Sequence, residues 1–274
     1  MAVPTIKLND GREIPQLGFG VFQIEPGHTA EKVKAALDVG YRHIDTAQMY
    51  GNEEGVGKAI ADSGIPRDEL WITTKLDNDG HGREAAVSRL EQSLTRLGLD
   101  HVDLYLIHWP RPHEDRYVET WQGLEDARRA GKARSIGVSN FQIPHLERLA
   151  QETSTPPAVN QVEFHPHLVQ RELREYHKDH DIGTEAWSPI GQGKGLLDAP
   201  ELTELADKYG RSAAQVVLRW HIQLDNIVFP KSNNPERIKE NFEIFDFSLT
   251  EDDIAAIEKL HTGNRVGPDP DTFG

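Results

Sequence analysis

Eight short apolar runs recur along the chain, and a longer, charged stretch follows each of them. They are 17–22 (LGFGVF), 42–47 (RHIDTA), 70–76 (LWITTKL), 102–109 (VDLYLIHW), 133–140 (ARSIGVSN), 158–164 (AVNQVEF), 182–187 (IGTEAW) and 227–232 (IVFPKS). Near-continuous apolar runs of this length mark strands buried on both faces of a parallel sheet. The stretches between them carry helical spacing. Val33, Ala36 and Leu37 fall on one stripe of 29–39; Ala86, Leu90, Leu94 and Leu97 do so in 83–97; Val216, Val217, Trp220 and Leu224 do so in 212–224. Gly40, Gly64, Gly98 and Gly131 stand where such helices stop. A hairpin precedes the alternation: Asn9-Asp10-Gly11 is a turn between 5–8 and 13–15. The unit count favours a closed (β/α)8 TIM barrel with an N-terminal β-hairpin over an open doubly wound sheet. The 274 residues suit one barrel, which needs ~250. With no linker or shift in composition, residues 1–274 read as a single domain.

Charge and composition narrow the function. The net charge of −15 would repel a phosphate backbone or an anionic membrane surface. An anionic ligand must therefore find a local basic pocket. Cysteine is absent, which excludes a disulfide scaffold, an iron–sulfur cluster, a thiol nucleophile and a thiolate zinc site. The start of the sequence lacks a secretory pattern, and no run reaches the ~20 apolar residues of a membrane span. A cytoplasmic protein without nucleic-acid or membrane partners is expected.

In a (β/α)8 barrel the chemistry sits at the C-terminal ends of the strands. Asp45, Lys75, His108, Ser139, Asn140, Gln161, Glu163, Trp187 and Lys231 all fall on or near such ends, with Tyr50 just beyond the second. Asp45 beside Lys75 would be a buried ion pair, and such pairs are often kept for a role other than stability. An ammonium near a tyrosine hydroxyl favours the phenolate and so lowers the tyrosine pKa. Tyr50 could then give a proton to a developing alkoxide, with His108 orienting the same oxygen. The missing ingredient is a hydride, which a nicotinamide cofactor would supply. A rival reading is metal-assisted hydrolysis by His108, His165, His167 and Asp45. There is no HExxH pattern, however, and His165 and His167, flanking Pro166, read more simply as loop packing. No metal is expected.

Several long motifs resemble the aldo-keto reductase family over essentially the full length. They are GYRHIDTAQMYGNEEGVGKAI from Gly40, LYLIHWP from Leu104, GKARSIGVSNF from Gly131, AVNQVEFHP from Ala158 and VFPKSNNPERIKEN from Val228. Within the family the chain is most similar to bacterial 2,5-diketo-D-gluconate reductases and to glyoxal and prostaglandin F synthase-type reductases. The resemblance implies reduction of aldehydes or ketones, including dicarbonyls and keto-sugar acids, by NADPH. It makes Asp45, Tyr50, Lys75 and His108 the catalytic tetrad, with Tyr50 as general acid. It assigns Ser139, Asn140 and Gln161 to the nicotinamide carboxamide and Trp187 to the ring. Ser188, the glycine-rich loop 191–195 and Leu196 would meet the pyrophosphate. Lys231, Ser232 and Arg237 would hold the adenosine 2′-phosphate, and Glu240 and Asn241 the adenine. Two cations and a hydroxyl suit a phosphate dianion, and Pro235 opens a helix whose free N–H groups could add to them.

The substrate pocket would be rimmed by Phe22, Gln48, Asp77, Trp109 and Ile190. One departure concerns Lys75-Leu76-Asp77-Asn78, where many relatives have Lys-Leu-Trp-Asn. A carboxylate in place of that aromatic wall is expected to open the pocket and to disfavour an anionic sugar acid. The tail 263–274 is a further influence on specificity. By family analogy the protein is a monomer acting on a small-molecule carbonyl. A non-catalytic NADPH-binding or regulatory barrel is the alternative, since fold alone does not imply activity.

Overall fold

Thr5–Lys7 (β1) and Glu13–Pro15 (β2) pair antiparallel, with Ile6 opposite Ile14. This hairpin precedes eight parallel strands in a computed structural model that describes residues 3–273. The eight are Phe19–Gly20 (β3), His43–Asp45 (β4), Trp71–Leu76 (β5), Val102–Ile107 (β6), Ala133–Ser139 (β7), Val159–Glu163 (β8), Gly183–Trp187 (β9) and Ile227–Val228 (β10). Neighbours in sequence are neighbours in the sheet throughout. The seam between first and last strands is closed by Gly18 N–H to Val228 O and Val228 N–H to Gln16 O, both 2.9 Å. The fold is therefore the expected TIM barrel.

Helices clothe the outside: Pro26–Val39 (α1), Glu53–Ser63 (α2), Arg83–Leu97 (α3), Tyr117–Arg129 (α4), Ile143–Glu152 (α5), Arg171–Asp179 (α6), Pro200–Tyr209 (α7), Ala213–Gln223 (α8), Pro235–Phe242 (α9) and Glu251–Glu258 (α10). Their buried stripes are those the spacing predicts, Ala86, Leu90, Leu94 and Leu97 in α3 for instance. Gly98 ends α3 in the left-handed region at φ 65°, which glycine enters without steric cost. Two helices, α7 and α10, go beyond the eightfold alternation.

Two apolar layers result. The larger lies between strands and helices and includes Ile72, Tyr105, Val138, Val162, Trp121 and Trp220. The smaller combines alternate strand residues, Trp71, Leu104, Leu106, Val159 and Ile227, with Leu8 and Ile14 from the hairpin segment. The hairpin thus plugs the floor of the barrel. Above that floor the inward positions turn polar, and the site begins.

Candidate active site

The period of two along each strand sends every second side chain into the barrel. Asp45 ends β4, Lys75 is next to last in β5, and Tyr50 closes a short 3₁₀ turn, Gln48–Tyr50, just beyond β4. The structure brings them together. Lys75 Nζ donates to Asp45 Oδ1 at 2.7 Å, to Thr46 O at 2.9 Å and to Tyr50 Oη at 3.3 Å. Lys75 is fully buried and Asp45 nearly so. His108 follows β6, its ring 5.7 Å from that of Tyr50 and edge-on to it.

The electrostatics of the cluster follow from burial. Burial works against the Lys75 charge, but Asp45 and Tyr50 outweigh it and hold its pKa above the usual lysine value. Burial pushes the Tyr50 hydroxyl up, and Lys75 only partly offsets this. The net direction corrects the sequence expectation of a lowered value: Lys75 has the expected sign, but desolvation is larger. Tyr50 thus rests protonated. Burial, followed by the Lys75 charge, drives His108 well below the usual histidine range, so its ring is neutral.

A cleft of about 650 Å³ opens above these groups, lined by Asp45, Tyr50 and His108 together with Asn140, Gln161, Trp187, Ser188, Lys231 and Arg237. Phe22, Trp109 and Ile190 line it as well. At one end Ser139 Oγ donates to Gln161 O at 2.8 Å, and Asn140 Nδ2 to His108 O at 2.9 Å. Trp187 Nε1 donates to Asn140 Oδ1 at 2.8 Å. Asn140 and Ser188 have φ values of 65° and 51°, backbone strain of the kind that gathers at functional sites. Lys231 and Arg237 also line the cleft, and neither is in an ion pair among the described residues. Burial lowers the Lys231 pKa.

Other sequence candidates stand apart from the cleft. Leu196 is buried under Gly191, and its neighbour Leu197 faces the cleft instead. Ser232 Oγ accepts from Asn234 N–H at 3.1 Å, Glu240 accepts from Ser212 Oγ, and Asn241 is buried. Gln48 donates to Arg89 O at 3.0 Å and Ser93 Oγ at 2.9 Å. Asp77 accepts from Asn78 N–H at 2.6 Å, capping the turn after β5. Neither side chain lines the cleft. His165 Nε2 lies 2.9 Å from Glu163 Oε1, and no set of three metal-ligating side chains gathers among the described residues.

Some residues of the site have no role in the sequence reading. Met49, Phe229, Val266, Gly267 and Phe273 line the cleft. The last three belong to the tail, which folds across the mouth. Glu163 accepts from the N–H groups of Val266 and Gly267, Lys194 Nζ donates to Val266 O at 3.0 Å, and Phe273 packs on Trp109 with ring centroids 4.4 Å apart. Glu185 is the other omission. It is fully buried on β9, where Gln161 Nε2 donates to its Oε2 at 2.8 Å. Its signal was an acid two residues before Trp187, in the inward phase of an apolar strand.

The family model of the aldo/keto reductases matches residues 16–262. The chain belongs to the aldo/keto reductase family. It is 54% identical over 273 residues to the methylglyoxal reductase DkgA of Yersinia pestis, covering 99% of this chain and 98% of that one. An aldo/keto reductase structure from Brucella melitensis superposes with a TM-score of 0.92 at 55% identity, over 95% of this chain and 98% of that one. A mutant of Gox0644 solved in complex with NADPH gives 0.96 at 45% identity over 100% of both chains.

Proposed function

We propose that this aldo/keto reductase reduces small aldehydes and ketones, dicarbonyls first among them, with NADPH. The observation that carries the reading is the contact of Lys75 with both Asp45 and Tyr50 at the floor of the cleft. NADPH, when bound, supplies the hydride that no side chain can. Asn140 and Gln161 would hold its carboxamide with Ser139 behind them, Trp187 would cover the ring, and Ser188 would meet the pyrophosphate. Lys231 and Arg237, without an ion-pair partner among the described residues of an acidic molecule, fit the 2′-phosphate, with Ser232 beside them and Glu240 and Asn241 toward the adenine.

The protein's own part is a proton transfer. Tyr50, held protonated by burial, gives its hydroxyl proton to the carbonyl oxygen as negative charge develops there. The Lys75 ammonium then stabilises the phenolate left behind, and Asp45 keeps Lys75 charged. Neutral His108 can donate a hydrogen bond to the same oxygen without competing as an acid. Asp77 accepts from the backbone N–H of Asn78 through one oxygen and keeps its carboxylate near the turn after β5, where it would disfavour an anionic sugar acid. The similarity to a methylglyoxal reductase supports dicarbonyls as the first class to try.

The test is NADPH oxidation with methylglyoxal, phenylglyoxal, a nitrobenzaldehyde and 2,5-diketo-D-gluconate, with Tyr50→Phe alongside. Wild-type turnover that falls ~10²-fold or more in Tyr50→Phe, with NADPH binding retained, is expected. Tight NADPH binding without turnover of any carbonyl would instead favour a regulatory NADPH-binding barrel.

A further inference from the structure

Gln161 carries one amide nitrogen with two hydrogens, and both are taken. Nε2 donates to Asp45 Oδ2 at 2.9 Å and to Glu185 Oε2 at 2.8 Å. Glu185 is the residue directly beside Gln161 in the β8–β9 register, and it has no exposed surface. Its other oxygen, Oε1, is buried without a hydrogen-bond partner. A buried acid with an orphaned oxygen is costly to a fold, so its presence beside the site calls for a role.

We propose that Glu185 is a positioning residue of the cofactor subsite: with Asp45 it captures both amide hydrogens of Gln161 and leaves the Gln161 carbonyl oxygen as the only group that side chain can offer to a ligand in the cleft. Asp45 is itself held by Lys75 Nζ at 2.7 Å. Turning the Gln161 amide over would press its oxygen against that carboxylate. Asp45 alone fixes one hydrogen; Glu185 fixes the second and with it the plane of the amide. The oxygen so presented is an acceptor, matched to the N–H donors of a carboxamide.

The surroundings of Glu185 agree with this role. The charged groups that face it are Asp45 on β4 and Lys75 on β5, while its register neighbour on β10 is Ile227. Burial, reinforced by the Asp45 charge, pushes its carboxyl up to about 8. Near neutral pH it is therefore largely the neutral acid, which still accepts the Gln161 N–H. Glutamine has the shape of that neutral acid and accepts in the same place.

This inference rests on the NADPH reading above, and its test separates the two. Direct binding of NADPH and of adenosine 2′,5′-bisphosphate, which lacks the nicotinamide half, is measured for wild type, Glu185→Gln, Glu185→Met and Glu185→Asp. Wild type binds both. Glu185→Gln should bind NADPH within about twofold of wild type. Glu185→Met, which has no acceptor, should bind it roughly three- to tenfold more weakly, the worth of one hydrogen bond. Glu185→Asp, one methylene too short to reach Gln161, should show the same loss and keeps the test alive should the Met variant not fold. In all three the bisphosphate should bind as in wild type, a selectivity that a general loosening of the barrel would not produce. Unchanged NADPH binding in the Met and Asp variants overturns the proposal, as does equal weakening of both ligands. Failure of wild type to bind NADPH overturns the cofactor reading itself.

Discussion

Lys75 keeps its proton at a place where burial alone would remove it, because an anion lies 2.7 Å away in a region of low dielectric. Glu185 shows the opposite balance: beside the same anion, it is driven toward its neutral form. That has a cost for stability with a definite pH window. Its folded-state value, about 8, lies above the ordinary 4.5. Below pH 4.5 both folded and unfolded chains hold the proton, and the cost vanishes. Between there and about 8 the unfolded chain releases a proton that the folded chain retains, so stability falls as pH rises and then levels off. Glu185→Gln removes the titration. Its denaturant midpoint should exceed that of wild type at about pH 8 by the equivalent of a few kcal/mol, with the gap closing toward about pH 5. A gap independent of pH would show that Glu185 does not titrate in this range. The tetrad was legible in sequence because each member falls at or just past a strand end. Glu185 was not, because an acid in an apolar strand declares no partner until the register sets Gln161 beside it.

Strand ends were less legible than strand identities. The runs 17–22 and 227–232 shrink to Phe19–Gly20 and Ile227–Val228. Pro230 has no N–H to continue a ladder, and Gly20 must pass so close to Phe229 that a Cβ there would lie 3.1 Å from its carbonyl oxygen. The tail 263–274 was unreadable for a different reason: it has no periodicity, and the place of its described residues, 263–273, comes from distant partners. Glu163 on β8 is the anchor, its carboxyl held below the usual range by His165 and by the N–H groups of Val266 and Gly267, although burial pulls the other way. Gly267 must be a glycine, since a Cβ there would collide with the Trp187 ring. Phe273 closes the arrangement on Trp109. Phe273→Ala should therefore raise KM for phenylglyoxal several-fold, through the loss of about 0.5–1.5 kcal/mol of aromatic contact, and leave kcat near wild type. A fall in kcat with KM unchanged would mean that the tail acts on the chemistry rather than on substrate capture.

At the scale of the whole molecule, a chain of net charge −15 is asked to bind a polyanion. Composition made the problem visible but could not say which of the 30 lysines and arginines remain unpaired in the fold. Lys231, just past β10, and Arg237, on α9, line the same cleft, and neither has an ion-pair partner among the described residues. Distance decides which effect wins. Charges elsewhere on the surface are screened beyond about 8 Å at physiological salt, whereas a cation in hydrogen-bond contact with a phosphate is not. The acidic surface should thus slow the approach of NADPH more than it weakens the complex. Replacing both cations, Lys231→Met with Arg237→Ala, should weaken NADPH by ~10²- to 10⁴-fold, at about 1.5–3 kcal/mol for each charge-assisted bond. NADH, which lacks the 2′-phosphate, should change by no more than about twofold, so the preference for NADPH should nearly disappear. Titrations of the two cofactors at low and high salt provide the check, and the double variant should also show a flatter salt dependence for NADPH. Equal weakening of both cofactors would place these cations on the pyrophosphate that the two share, and the choice between NADPH and NADH would then have to be made elsewhere in the cleft.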